Sequence, residues 1–322
     1  MSTYKEINGQ KIQNVSSDPP ASFTGQVWYN STSGALKVNA GPLVSAWATG
    51  SGLNTGRKVL AGAGTQTAGI AMGGEPYTSG FTELYNGTAW TAVNPLVRSR
   101  YNLAGAGTQT AALGFGGYFY PGNDSTLTET WNGTNWTEVN NLNTGRQGIG
   151  GTGASNTAVL AFAGYDGAAR VILTESWNGT NWTEVNDMNT ARNSLAGAGT
   201  QTAALAFGGS YPPKAETELW NGTNWTEVND LNTARSQLGG AGIQTAALAF
   251  GGNDGSITAA TEEWNGTNWT EVNDLNTGRS AMGSAGTQTA ALAMGGEQPP
   301  NINSTATEEF SETGGVSTIT TS

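Results

Sequence analysis

Six arginines recur at near-constant spacing, Arg57, Arg100, Arg146, Arg192, Arg235 and Arg279, and they make up six of the eight in the chain. A guanidinium is a planar fork of donors that grips carboxylates and phosphates, so such an array could bind an acidic sugar or a lipopolysaccharide phosphate. One arginine per repeat also has a structural meaning, a bridge to the neighbouring unit through carbonyls or an acid such as Glu138, Glu184, Glu227 or Glu271. The structural meaning is favoured, because function rarely requires six copies. A second group is aromatic and falls in segments that differ between repeats: Tyr77, Tyr118, Phe119, Tyr120, Tyr165 and Tyr211. Their flat faces could stack on sugar rings or on a protein partner, or pack on their own loops. Asp124, Asp166, Asp254 and Glu297 could supply a carboxylate pair for glycoside hydrolysis, though their spacing singles out no pair.

Composition removes much other chemistry. The 322 residues contain no His and no Cys. That excludes Ser-His-Asp and Cys-His relays, tetrahedral zinc sites of the usual kind, His- or Cys-ligated haem and iron–sulfur clusters. The formal charge of −11 argues against a nucleic-acid surface, which needs clustered Lys and Arg. No apolar run approaches the roughly 20 residues of a membrane helix, and Met1–Glu6 lacks a signal-peptide core. The expectation is a soluble protein without cofactor, metal, nucleic-acid partner or membrane insertion. Asn253-Asp254-Gly255 and Asn123-Asp124-Ser125 hint at calcium loops but carry too few carboxylates. The Gly-x-Gly runs lack the following helix of a phosphate site. Paired Asn-Gly-Thr and Asn-Trp-Thr sequons read as turn chemistry.

The elements that position these residues are repeats. Aligning on Trp-x5-Leu/Met gives six copies, at Trp47, Trp90, Trp136, Trp182, Trp225 and Trp269, and each arginine lies four residues past its Leu or Met. A period of about 40–50 residues implies propeller blades or solenoid turns. Within each copy a Gly/Ala-rich stretch follows the arginine, then a short apolar segment ending in Gly-Gly, a variable loop, and two Trp-containing segments around Asn-Gly. Asn-Gly predicts a two-residue hairpin, because both central residues of a type I′ turn need positive φ. The Gly/Ala stretch suits an innermost strand, where blades converge. Each unit is therefore four strands, a to d, without helix, and six units make a six-bladed β-propeller. Ring closure is expected to come from both termini. The sixth copy lacks its Trp-bearing fourth strand, and Trp47 lies in an orphan one, so Phe310 should pair with Trp47.

Arginine before the inner strand, double glycine after the second, an aromatic in the third and Trp in the fourth together resemble the Kelch repeat over roughly Trp47–Phe310. The double glycines are Gly73-Gly74, Gly116-Gly117, Gly208-Gly209, Gly251-Gly252 and Gly295-Gly296, with Ala163-Gly164 as a variant. The aromatics are Tyr85, Trp131, Trp177, Trp220, Trp264 and Phe310, set closer to the following Trp than in the usual Kelch hairpin. The resemblance implies a fold and an interaction role, not a partner. The segment Gly25-Gln-Val-Trp-Tyr-Asn is similar to attachment hairpins of tailed-phage structural proteins, with Trp28 and Tyr29 as its contact residues; read from its residues alone, it is equally a strand-pairing extension that caps the propeller. The near-identity of copies three to six resembles the recent duplication common in phage fibre and adhesin genes.

The expected layout is an attachment arm and hairpin over 1–40, a propeller over 41–311 and a tail over 312–322. The b–c and d–a loops should share one face, with the six arginines near the channel mouth there and uniform turns on the other. Variable loops on one face are the default binding surface of a repeat scaffold. The third-strand acids Glu83, Glu129, Glu175, Glu218 and Glu262 read as solvated or arginine-paired. The functional expectation is a non-enzymatic virion protein of a phage tail or fibre, extracellular when mature. Its arm would bind other virion proteins, and its loop face a host-surface glycan or a virion protein. A bacterial surface lectin or adhesin is the alternative, and a sialidase-like glycosidase a third, weakened by the absence of Asp boxes.

Overall fold

The computed structural model describes residues 12–19, 25–39, 41, 44–76, 80–119, 122–314 and 316–318, and among them every regular element is a strand. Chain contacts divide it into two compact units, Trp47–Phe310 and Met1–Ala46 with Ser311–Ser322.

The larger unit is a six-bladed β-propeller. Its fifth blade shows how one repeat becomes one sheet: Gly239–Ile243 is strand a, Ala246–Phe250 b, Thr261–Trp264 c and Trp269–Val272 d, all antiparallel. Strand b is covered on both faces, and so reads as a continuous apolar run with Ala247–Phe250 fully buried. Strand d is the outer edge. It buries Trp269 and turns Thr270 and Glu271 to solvent, and that edge charge discourages pairing with another sheet. Blades one to four follow the same order, with strands a beginning at Ala61, Ala104, Gly150 and Ala196. In the sixth blade Gly283–Thr287, Ala290–Met294 and Thr307–Thr313 are completed by Val44–Gly50 from the other end of the chain. The Trp47 and Phe310 rings lie 5.2 Å apart, as the orphan strand requires.

Neighbouring blades are fastened by repeated bonds. The indole N–H of each strand-d Trp donates to a strand-c Thr of the preceding blade, Trp136 to Thr82 at 2.9 Å and Trp47 to Thr261 at 3.2 Å. The Gln288 amide donates to Trp264 O at 2.7 Å across the same kind of boundary. Inner strands meet so closely that a Cβ on Gly62 would lie 2.5 Å from Ser284 O.

A second closure encircles the channel mouth. Two residues past each repeat arginine sit Val59, Asn102, Gly148, Ser194, Gln237 and Ala281, all with φ between 50° and 58°. Each backbone N–H donates to the carbonyl of the preceding member at 2.7–2.9 Å, and Val59 N–H reaches Ala281 O, so six bonds form a continuous belt.

The c–d turns differ from the expected two-residue type. Trp264 pairs with Trp269, which leaves the four residues Asn265-Gly266-Thr267-Asn268 in the loop. Positive φ falls on Gly266 (90°) and not on Asn265. The asparagine works through its side chain, whose Oδ1 accepts from the N–H groups of Thr267 and Asn268 at 2.9 Å.

In the smaller unit, Val27–Asn30 and Ala35–Asn39 form the hairpin, turning through Ser31–Gly34. The described part of the arm is not simply extended: Gln13–Val15 pairs in parallel with Val27–Asn30. Nor is 312–322 a separate tail, because Val316–Thr318 pairs with Ala35–Asn39 and completes a four-stranded sheet.

Candidate functional site

The six repeat arginines are not a ligand site. Each is 0–1% exposed and spends its fork inside its own blade. Arg146 Nη1 donates to Ala163 O at 3.0 Å and Leu173 O at 2.7 Å, closing the end of strand b onto the start of strand c. Its Nη2 meets Glu175 Oε1 at 2.7 Å. Burial pushes the guanidinium pKa down, and the Glu175 charge pulls it back up. The acid is therefore the strand-c glutamate, repeated as Glu83, Glu129, Glu175, Glu218, Glu262 and Glu308. Glu138, Glu184, Glu227 and Glu271 are exposed on strand d, so the expected bridge to a neighbouring blade through these acids is corrected. What crosses between blades is the arginine backbone, as where Arg192 O accepts from Gly164 N–H at 2.8 Å. The second carboxylate oxygen is taken by the asparagine three residues before the arginine: Asn143 donates to Glu175 Oε2 through its backbone and side-chain nitrogens at 2.8 Å. Asn54, Asn189, Asn232 and Asn276 repeat this, and Val97 N–H substitutes in the second blade. That asparagine role was missed, although Asn-Thr-Gly/Ala-Arg recurs visibly.

The loop aromatics divide. Tyr77 and Tyr120 lie outside the described residues. Tyr118 is half-buried with its ring 5.4 Å from that of Tyr101. Tyr165 is half-buried too, and its hydroxyl donates to Gly167 O at 3.1 Å. Phe119 lines a cleft of about 980 Å³ together with Arg98, Asp124, Glu138 and Asp166. Tyr211 stands apart at 76% exposure.

Two hollows on the b–c and d–a loops are therefore the candidates. In the larger one, burial and the Asp166 charge push the Asp124 carboxyl up, against a hydrogen bond with Gln147 that pulls it down. Asp166 is held below the usual carboxylate range by N–H groups of Ala169 and Ala168. The smaller, about 400 Å³, is lined by Arg170, Asn193, Ser210, Tyr211, Gln237 and Asn253 among others, with no carboxylate in its wall. Arg170 and Ser210 were not singled out by sequence. The available signal was that Arg98 and Arg170 alone fall outside the six-fold arginine register. Among the described residues no group of three or more His, Cys, Asp or Glu could hold a metal ion.

In the smaller unit Trp28 is fully buried, and its indole N–H donates to Asp18 Oδ1 at 2.9 Å, so its face is not offered to a partner. Tyr29 is half-buried.

No protein-family model matches the chain. No curated protein matches it either. Among solved structures, that of a protein named YjhT superposes with a TM-score of 0.63 at 14% identity, over 80% of this chain and 95% of that one. The likeness is one of fold alone.

Proposed function

We propose that the chain is a non-enzymatic virion protein of a phage tail or fibre. It is anchored through residues 1–40 and presents the b–c loop face of its propeller to a host-surface glycan or to another virion protein. The observation that carries this reading is the concentration of difference on one face. Strands, a–b turns and c–d turns repeat nearly unchanged, whereas the b–c loops differ in length and content and border both hollows. A scaffold that keeps its frame constant and varies one loop set is built for recognition. The similarity of Gly25–Asn30 to phage attachment hairpins favours a phage protein over a bacterial surface lectin.

The test has two arms. Deletion of residues 1–40 is expected to leave a folded propeller that no longer enters particles, and normal incorporation would contradict the anchoring role. On a glycan array the full chain should retain sugars that Tyr211→Ser releases. Retention unchanged by that substitution would contradict glycan binding by the loop face.

A second reading, a glycosidase, is favoured by one observation. Asp124 and Asp166 share a cleft and their acidities are driven in opposite directions, as an acid–base pair requires. Release of reducing sugar from host polysaccharide, abolished by Asp124→Asn, would establish it over the first.

A further inference from the structure

We propose that the hollow between the third, fourth and fifth blades binds the carboxylate of an acidic saccharide, with Arg170 and the Ser210 hydroxyl as donors and the Tyr211 ring as the platform for the sugar. This rests on the loop-face reading above and narrows it to one chemical class.

Four observations converge. First, Ser210 is only 4% exposed, yet its Oγ has no hydrogen-bond partner among the described residues. A buried hydroxyl in that state costs about as much as a lost hydrogen bond, and an acceptor entering the hollow removes the cost. Second, Arg170 is pinned in place. Its Nε donates to Asn193 Oδ1 at 3.1 Å and its Nη2 to Tyr211 O at 2.7 Å, which leaves Nη1 without a partner among the described residues. Third, its charge is uncompensated: no described acid lies within ion-pair distance of Arg170, whereas Lys214 is paired with Glu216 at 2.6 Å and Arg98 faces Glu138 at 4.0 Å. In a chain of net charge −11 such a hollow is a local exception. Fourth, the remaining wall is amide and hydroxyl, the amides from Asn193, Gln237 and Asn253 and the hydroxyls from Ser194 and Ser236, which suits sugar hydroxyls, and Tyr211 stands open beside it.

A single fixed guanidinium beside a hydroxyl matches a monoanion bound through two oxygens. A carboxylate on a pyranose ring satisfies Arg170 and Ser210 while its ring reaches Tyr211.

The experiment is calorimetric titration of the full chain with trimers of glucuronic, galacturonic and mannuronic acid and with the corresponding neutral hexose trimers. At least one acidic trimer is expected to bind about tenfold or more tightly than its neutral counterpart, the scale of one charge-assisted hydrogen bond. Arg170→Gln should erase that preference and Arg170→Lys restore part of it. Ser210→Ala should weaken the acidic trimer several-fold, and Tyr211→Ser should weaken acidic and neutral trimers alike. Equal affinity for both classes, no binding of any acidic trimer, or a preference that survives both Arg170→Gln and Ser210→Ala overturns the proposal. If no acidic preference is found while arrayed neutral sugars bind and are lost with Tyr211→Ser, the inference falls and the loop-face reading stands. If no array binding depends on Tyr211, the glycan half of the loop-face reading falls as well.

Discussion

The same residue type has opposite fates in two regions of this molecule. In the blade interiors six arginines are sealed from solvent, each on its own glutamate and at least two carbonyls, an arrangement repeated six times. On the loops Arg98 and Arg170 are exposed, outside the repeat register, and differ from each other in every contact. What is copied is the fastening of strand b to strand c; what is unique is where a ligand can reach. In a repeat protein, then, the departure from periodicity is the better guide to chemistry, and periodic charged residues point first to the frame.

Breaking the interior gives the largest expected effect. Arg146→Met strands Glu175 in the core and should lower stability by about 3–5 kcal/mol in urea unfolding, while Arg146→Met with Glu175→Leu recovers most of it. A loss below about 1 kcal/mol for the single variant would show that the buried pairs do not hold the blades. Next comes the belt at the channel mouth, where Val59, β-branched, sits at φ 50°. Val59→Asn should raise stability by about 1 kcal/mol, since asparagine tolerates this region and valine does not. An unchanged or lowered midpoint would mean the belt imposes no strain there.

The smaller unit gives a pH effect. Asp18 is held below the usual carboxylate range by hydrogen bonds from Asn30 and Trp28. A depressed folded value means the stabilisation is complete above the unfolded value, about 4, and disappears as pH falls through the folded one. The Trp28 indole N–H resonance should shift in that acidic window and not in Asp18→Asn; identical titrations of the two proteins would remove Asp18 as the cause. The smallest effect is expected at Arg98, 70% exposed and 4.0 Å from Glu138. Arg98→Ala should change stability by less than about 0.5 kcal/mol, and a larger change would blur the contrast between loops and interior.

Much of the frame is legible in the sequence, because each blade writes its structure with strong symbols. Double glycine stops strand b, Trp marks strand d, and the unmatched Trp47 foretells which strand closes the ring. The arginine partner was less legible. An acid within a strand reads as solvent-facing, and only the buried guanidinium reverses that sense, so Glu175 and the exposed Glu184 look alike on paper. The c–d turn was misjudged because Asn-Gly fits both a two-residue turn and a four-residue loop, and the choice lies in the Trp264–Trp269 register. Val316–Thr318 carries no pattern that ties it to Ala35–Asn39, a pairing more than 270 residues apart in the chain. The candidate hollow was legible only in its tyrosine and in an arginine outside the repeat register. Its other determinants, the orphaned Ser210 hydroxyl and the pinned Arg170, depend on three blades meeting.

The claim that recognition resides on the b–c loops is tested most directly by two block variants of the full chain, compared for binding to host-surface polysaccharide and to the assembled particle. One replaces Tyr118, Tyr165 and Tyr211 with serine; the other replaces Thr88, Thr134 and Thr223 in the opposite turns with alanine. The account predicts that the first loses at least one of these partners and the second keeps both. Loss confined to the turn-face variant, or retention of both partners by the loop-face variant, would contradict it.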